Sequence, residues 1–275
     1  MTDRRRLLAV HAHPDDESLF TGGTLARYVS EGIEVCLVTC TDGAQGNAVA
    51  GALTGPRGEE QQLADVRAKE LRTACDILGV DDLRRLGFAD SGNSQEPNPD
   101  QRAFVNQTGR AITELVDILD EVRPDVVLTY NTRGLYGHRD HVQANRVTHA
   151  ALSAVRAERG WSAPRFFEIT VSQAFFEDWW LHRIILEVEQ AGRETSAATL
   201  GERWATPDDD CWRVDIGDFL HQKHSAISAH GSQQDPYVRQ LLTVPERFEY
   251  FRLVGEESTA RAAGDRGDLF SGLEM

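Results

Sequence analysis

The order in which short apolar runs and helical patterns follow one another limits the fold of this chain more than any other feature. Short runs typical of buried strands occur at residues 7–11, 34–39, 83–88, 125–130 and 166–171. Helical patterns lie between and after them, at residues 19–30, 64–78, 111–122, 175–191 and 219–229. Strands that alternate with helices predict a Rossmann-like α/β fold, with a mostly parallel sheet, helices on both faces and right-handed crossovers.

The second helical pattern shows how local chemistry defines an element. Leu71, Cys75 and Leu78 share one apolar stripe, which is the spacing expected of a helix with one buried face. Gly79 follows, and glycine readily adopts the left-handed backbone that ends many helices. Arg67 lies on the same stripe one turn earlier, where it either extends its charge to solvent or points into a pocket.

The chain shows no linker between independent domains. We predict one α/β domain over residues 1–255 and a flexible C-terminal extension over residues 256–275, which are rich in Gly, Ala and charge. Two long loops, at residues 43–59 and 91–101, are candidates for the rim of a functional site.

The charge balance excludes some partners. The chain has 29 Lys and Arg against 44 Asp and Glu, a formal charge of −15, which disfavours nucleic acid and anionic membranes. No apolar stretch reaches the roughly 20 residues of a membrane span. The four cysteines form no C-x-x-C pair, and the N-terminus does not resemble a signal peptide, so we expect a cytoplasmic protein. The sequence is compatible with a homo-oligomer but does not indicate one.

The first group of chemically active residues directly follows the first strand. It comprises His13, Asp15, Asp16 and Glu17, and in open α/β sheets ligands bind beyond the carboxyl ends of the strands. A single Asp here could simply cap the next helix. Three adjacent carboxylates repel one another, however, and a bound cation would relieve that repulsion.

A second group follows the fourth strand and contains Tyr136, His138, Asp140 and His141. Two histidines three residues apart, combined with His13 and an aspartate, supply the His/His/carboxylate set of a catalytic zinc site with one open position. No cysteine lies near either group, which argues against a closed structural site.

Three motifs resemble the PIG-L/LmbE-like zinc N-deacetylases: A-H-P-D-D-E at residues 12–17, G-G-T-L-A-R at 22–27 and G-H-R-D-H at 137–141. Weaker similarity covers residues 90–92 and 223–233, and His230 in the latter could reach the site. The resemblance implies an LmbE-like fold and removal of acetyl from N-acetylglucosaminyl groups. A related branch of the family cleaves mycothiol S-conjugates.

By position, the resemblance makes His13, Asp16 and His141 the zinc ligands and Asp15 the general base. Zinc suits amide hydrolysis because it polarises the carbonyl and lowers the pKa of water to about 7. The resemblance therefore implies one Zn²⁺ per chain, and other divalent metals such as Fe²⁺ stay open.

The resemblance also places His138 and Tyr136 near the scissile carbonyl, with Asp140 beside them to orient the His138 ring, and suggests Arg67 and Asp90 as sugar contacts. His138 would stabilise the oxyanion or protonate the leaving amine. Whether Asp15 and His138 form an acid/base pair, or one residue serves both roles, stays open.

Three hypotheses follow. The first is an N-deacetylase that acts on an N-acetylglucosaminyl-type amino sugar conjugate, a small-molecule amide. The second is an amidase that cleaves a larger acyl group, such as that of a mycothiol S-conjugate. The third is a metal-binding module without activity, against which the complete set of His and Asp residues argues.

Overall fold

Seven strands form one sheet in the computed structural model, which describes residues 4–49, 52–53, 58–94, 96–159, 164–180, 205–234, 238–239, 242, 246–255 and 266–273. The strands are β1 (Arg6–His11), β2 (Glu34–Thr41), β3 (Asp82–Phe88), β4 (Val126–Tyr130), β5 (Arg165–Thr170), β6 (Trp212–Asp215) and β7 (Phe248–Val254). Their order in the sheet is β3-β2-β1-β4-β5-β7-β6.

Helices cover both faces of the sheet. They are α1 (Asp16–Ser30), α2 (Glu59–Leu78), α3 (Thr108–Val122), α4 (Gly134–Gly137), α5 (Arg139–Arg159), α6 (Gln173–Phe175) and α7 (Leu220–Ala229). On one face α1, α2 and α7 pack together, and α3 and α5 pack together on the other. The predicted α/β class is confirmed. Within the described residues, no helix combines the length and apolar character needed to cross a membrane.

The centre of the sheet is parallel and buried on both sides. Strands β3, β2, β1, β4 and β5 run parallel to one another. Strand β7 pairs antiparallel with β5, and β6 pairs antiparallel with β7. The inner strands are continuous apolar runs because helices cover both of their faces. Since β1 and β4 are parallel neighbours, with Leu8 opposite Val127, the chain segments that leave their carboxyl ends meet at one edge of the sheet.

The two ends of α2 show which helix boundaries a hydrophobic pattern can predict. The helix ends where predicted, at Gly79, whose φ of 79° is left-handed. It begins at Glu59, five residues before the predicted start at residue 64, because its first turn is exposed and polar and so carries no apolar signal.

The C-terminal segment corrects a prediction. Leu269 and Phe270 are buried in the main hydrophobic core, and the Leu269 N–H donates to the Tyr28 hydroxyl at 2.8 Å. The expectation of a flexible tail over residues 256–275 is therefore wrong for residues 266–273. Two apolar side chains anchor this segment, although the surrounding Gly, Ala and charged residues obscure them in the sequence. The other residues of that tail lie outside the described part of the chain.

The predicted helix over residues 175–191 can be compared with the structure only at its start. The short α6 is followed by a π-helical turn at Phe176–Trp180. Residues 181–191 lie outside the described residues.

Two glycines in helices should respond in opposite ways to alanine. A Cβ at Gly23 in α1 would lie 2.6 Å from Ile216, which is fully buried, whereas a Cβ at Gly109 in α3 meets nothing within 4 Å. We expect Gly23→Ala to lower the free energy of unfolding by about 1–3 kcal/mol through overpacking. Gly109→Ala should raise it by about 0.4–1 kcal/mol. Urea-induced unfolding measures both, and equal stability of the two variants would contradict this view of the α1 contact.

Candidate functional site

Three segments that follow parallel strands meet at the carboxyl edge of the sheet. The segment after β1 carries His13 and, at the start of α1, Asp16. The loop after β3 carries Asp90, and the start of α5, after β4, carries Asp140 and His141. All five side chains are buried. The topology thus brings together residues that are far apart in the sequence.

Donor atoms of three residues in this cluster have the spacing of metal ligands. His13 Nδ1 lies 3.2 Å from Asp16 Oδ2 and 3.3 Å from His141 Nε2, which is 3.4 Å from Asp16 Oδ1. Tetrahedral zinc with bonds of about 2.0–2.1 Å separates its ligands by about 3.3–3.4 Å. The spacing therefore fits a small divalent cation.

Two further donor sets lie around the same histidine. His138 joins His13 and His141 in one set, and Asp90 and Asp140 join His13 in the other, with each set's donor atoms within 4.8 Å of one another. Both sets share His13, but Asp90 and Asp140 lie near its Nε2 atom, whereas Asp16 and His141 lie near its Nδ1 atom. We favour the set that contains Asp16 because its separations of 3.2–3.4 Å match those of tetrahedral zinc ligands.

Hydrogen bonds orient both histidines of this donor set. His141 Nδ1 lies 3.2 Å from the Gly134 carbonyl oxygen, which can only accept, so Nδ1 carries the proton and Nε2 presents its lone pair. His13 Nε2 likewise lies 3.3 Å from Asp140 Oδ2. The other ring nitrogen of His13, Nδ1, is therefore the atom that can offer its lone pair to a metal ion. Such carboxylate–histidine contacts hold metal-binding rings in place.

The position of Asp140 corrects the prediction that its carboxylate orients His138. That carboxylate contacts His13 and accepts the Ser91 N–H at 2.9 Å. Only the Asp140 backbone N–H reaches His138, donating to Nδ1 at 3.2 Å. Burial, with His13 and His141 nearby, lowers the pKa of His138 to about 3. His138 is thus a neutral ring whose proton lies on Nε2.

The charge of the cluster is the main evidence that a cation belongs here. Asp16, Asp90 and Asp140 are buried around His13, with Asp90 Oδ1 3.7 Å from His13 Nε2. Burial alone would lower the pKa of His13, but Asp140 and Asp16 raise it well above its ordinary value. One oxygen of Asp140, Oδ1, is buried without a hydrogen-bond partner among the described residues. Carboxylate and imidazole donors in this arrangement fit zinc or a similar divalent ion.

Asp15 lies beside the donor set in a rare backbone conformation. Its φ is 127°, a region that residues other than glycine seldom adopt. Its Oδ1 lies 3.1 Å from the Arg67 guanidinium. Burial raises the pKa of Asp15 to about 6, although Arg67 opposes this rise. A carboxyl group of this acidity suits proton transfer near neutral pH.

Arg67 points into the site, which decides between the two positions that its place in the helical stripe allowed. Its side chain is 3% exposed and donates to the carbonyl oxygens of Gly43 and Pro14. A Cβ at Gly43 or Gly46 would lie 2.7 or 2.4 Å from the guanidinium, so glycine makes room for it. Its contacts are with the protein, and a role in sugar binding stays a prediction.

Asp90 and Tyr136 complete the predicted residues. Asp90 accepts backbone N–H groups from Gln45 and Gly92 at the edge of the cluster. Tyr136 is 46% exposed, with its ring centroid 5.0 Å from that of His141, so it lies at the mouth of the site. The structure therefore gathers every residue predicted for the site, which are His13, Asp15, Asp16, Arg67, Asp90, Tyr136, His138, Asp140 and His141.

Tyr130 was missed by the sequence analysis. Its hydroxyl donates to Asp16 Oδ2 at 2.6 Å and accepts the Ala12 N–H at 2.7 Å, and its ring stacks on His141 with centroids 4.0 Å apart. The available signal was its place as the last residue of β4, where an aromatic ring with a polar end can be buried and still reach the site.

The contact between Glu17 and His230 was also not predicted, although the sequence placed Glu17 in the first group and allowed His230 to reach the site. His230 Nε2, at the end of α7, lies 2.7 Å from Glu17 Oε1, and both side chains are buried. Weak family similarity around residues 223–233 was the only sequence signal for His230.

A Rossmann-like α/β sheet with a buried His/Asp cluster at its carboxyl edge, spaced as a divalent metal would need, defines the class of this protein. The sequence profile of the PIG-L family, described as GlcNAc-PI de-N-acetylase, matches residues 8–152. The chain belongs to this family and is an enzyme that cleaves amide bonds.

Relatives align over nearly the whole chain. A 1D-myo-inositol 2-acetamido-2-deoxy-alpha-D-glucopyranoside deacetylase from Nocardia farcinica is 37% identical, covering 98% of this chain and 96% of its own. The enzyme of the same name from Geodermatophilus obscurus is 38% identical, covering 99% of each chain.

Solved structures share the fold at lower identity. The N,N'-diacetylchitobiose deacetylase of Pyrococcus horikoshii is 20% identical with a TM-score of 0.60, covering 92% of this chain and 84% of its own. GalB, the 4-carboxy-2-hydroxymuconate hydratase of Pseudomonas putida, is 18% identical with a TM-score of 0.59, covering 90% and 95%.

Loss of the Tyr130 hydroxyl should weaken the cation site. In Tyr130→Phe, Asp16 loses a donor and the buried Ala12 N–H loses its acceptor, and we expect divalent-metal affinity to fall about 10–100-fold. Competition with a fluorescent zinc chelator measures this affinity.

Tyr28→Phe is the matched control, because its hydroxyl also accepts a backbone N–H, from Leu269, and donates to a carboxylate, that of Asp268. This variant should lose stability and keep its metal affinity. Equal metal affinities in the two variants would contradict the role given to Tyr130.

Proposed function

We propose that this chain is a zinc-dependent hydrolase that removes the N-acetyl group from an N-acetylglucosaminyl-type amino sugar conjugate. The observation that carries the proposal is the 3.2–3.4 Å spacing among the donor atoms of His13, Asp16 and His141, with Asp15 directly beside them. The names of the relatives, deacetylases of a glucosaminyl inositol, support the substrate class.

In this mechanism His13, Asp16 and His141 hold the metal. When bound, zinc polarises the amide carbonyl and lowers the pKa of water to about 7. Asp15 takes a proton from the attacking water, and Arg67 keeps its carboxylate in place. As the C–N bond of the amide breaks, the protonated Asp15 donates its proton to the nitrogen, which leaves as the amine, so that one residue serves as base and then as acid.

His138 acts in this mechanism as a hydrogen-bond donor. Its Nδ1 already accepts the Asp140 N–H, so its Nε2–H is the group available to the carbonyl oxygen as negative charge develops there. Tyr136, at the mouth, can add a hydroxyl to the same oxygen. A neutral His138 leaves the acid role to Asp15.

The remaining proposals concern organisation and location. We propose that residues 1–255 and the packed segment 266–273 form one domain, because both contribute to the same hydrophobic core. We also propose a cytoplasmic location, since all four cysteines are buried and unpaired, as is usual in a reducing compartment.

Metal content and substrate class can be tested together. Purified protein should contain about one zinc per chain, and chelation should abolish acetate release that added zinc restores. A panel scored by kcat/KM should rank an N-acetylglucosaminyl inositol above free N-acetylglucosamine and above a thiol-conjugate amide. The reverse rank would favour the amidase hypothesis, and no hydrolysis of any amide would contradict both.

Asp15→Asn tests the base. The amide keeps the size of the side chain but cannot take a proton, so we expect zinc content to be retained and kcat to fall about 10²–10⁴-fold. Asp117→Asn, an exposed aspartate on α3, is the control and should keep full activity. Full activity in Asp15→Asn would exclude Asp15 as the base.

A further inference from the structure

Glu17 joins two parts of the chain that are 213 positions apart. Its Oε1 contacts His230 Nε2 at 2.7 Å and accepts the Ser18 hydroxyl at 2.6 Å. Its Oε2 accepts the backbone N–H of Asp15 at 2.9 Å. His230 is 1% exposed and Glu17 is fully buried, so α7 fixes one end of this carboxylate and Asp15 the other.

Asp15 needs such support because of its backbone. A φ of 127° in a residue other than glycine is strained and persists only where the surrounding structure imposes it. The Asp15 carbonyl accepts the N–H groups of Ser18 and Leu19 at 3.0 Å, and its carboxylate contacts Arg67. The N–H is the remaining polar group, and Glu17 holds it.

His230 makes the buried Glu17 tolerable. Glu17 lies within two positions of Asp15 and Asp16, so three negative charges would otherwise crowd the start of α1. The 2.7 Å contact with His230 Nε2 gives the buried Glu17 carboxylate a partner that is itself buried. His230 Nδ1 has no hydrogen-bond partner among the described residues, so the ring is held through Nε2 alone.

We propose that Glu17 and His230 are a positioning pair for Asp15, which keeps the strained backbone that places the Asp15 carboxylate between Arg67 and the metal-binding residues. This inference rests on the proposed function, in which Asp15 is the base. Neither residue of the pair contacts the reacting atoms in this scheme, and each acts through the Asp15 N–H.

Two amide variants of His230 distinguish the loss of its contact with Glu17 from the loss of the imidazole ring itself. In His230→Gln the side-chain amide nitrogen replaces ring Nε2 and can still donate to Glu17, whereas in His230→Asn it replaces Nδ1 and falls short. We expect His230→Asn to lower kcat about 100-fold, with zinc content retained and KM little changed. The kcat of His230→Gln should be at least about tenfold higher than that of His230→Asn.

His149→Asn is the matched control. His149 Nε2 also contacts a buried glutamate, Glu168, at 3.3 Å, but it lies eight residues beyond His141 on α5, about 12 Å along the helix. Loss of this pair should reduce stability and leave kcat unchanged. Equal losses of kcat in His149→Asn and His230→Asn would mean that the His230 substitution acts through general destabilisation. That result would overturn the proposal.

A second readout does not depend on activity. In zinc-free protein labelled with [¹⁵N]Asp, the Asp15 amide should exchange with solvent faster in His230→Asn than in wild type, and at the wild-type rate in His149→Asn. Wild-type exchange together with wild-type kcat in His230→Asn would overturn the positioning role. If wild type hydrolysed no amide, the proposed function would fail, while the exchange rates would still test the contact between the pair and Asp15.

Discussion

The burial of negative charge around one imidazole is the constraint on which the rest of this structure depends. Asp16, Asp90 and Asp140 surround His13 at the carboxyl edge of the sheet, where solvent cannot screen them. The protein offsets part of this charge with oriented N–H and O–H groups from Ser91 and Tyr130. A bound divalent cation would offset the remainder, and such an ion can also polarise an amide carbonyl.

Much of this arrangement could be predicted because it depends on local patterns. Apolar runs predict β1 and β4. Because residues that follow adjacent parallel strands lie at the same edge of the sheet, the sequence alone places His13 close to His141. The contact between Asp140 and His13 could not be predicted in this way. Asp140 is two positions from His138 in the sequence, yet its carboxylate faces a residue 127 positions away. Tyr130 and His230 depend on the same long-range packing, which periodicity does not encode.

Fold and chemistry separate clearly in the structural comparisons. The sheet is shared, at TM-scores near 0.6, with a structure named as a deacetylase and with one named as a hydratase. An amide-cleaving function therefore cannot be argued from the fold alone. It depends on the side chains at the edge of the sheet, and on the relatives that align over almost the entire chain.

The close approach of Gly43 and Gly46 to Arg67 has a consequence for how this family could acquire new specificities. Any side chain at either position would displace the guanidinium, and Arg67 contacts Asp15 directly. Gly43 and Gly46, at the start of the loop over residues 43–59, therefore influence the position of Asp15 through Arg67. A substitution at Gly43 or Gly46 that altered substrate preference would therefore also disturb the base.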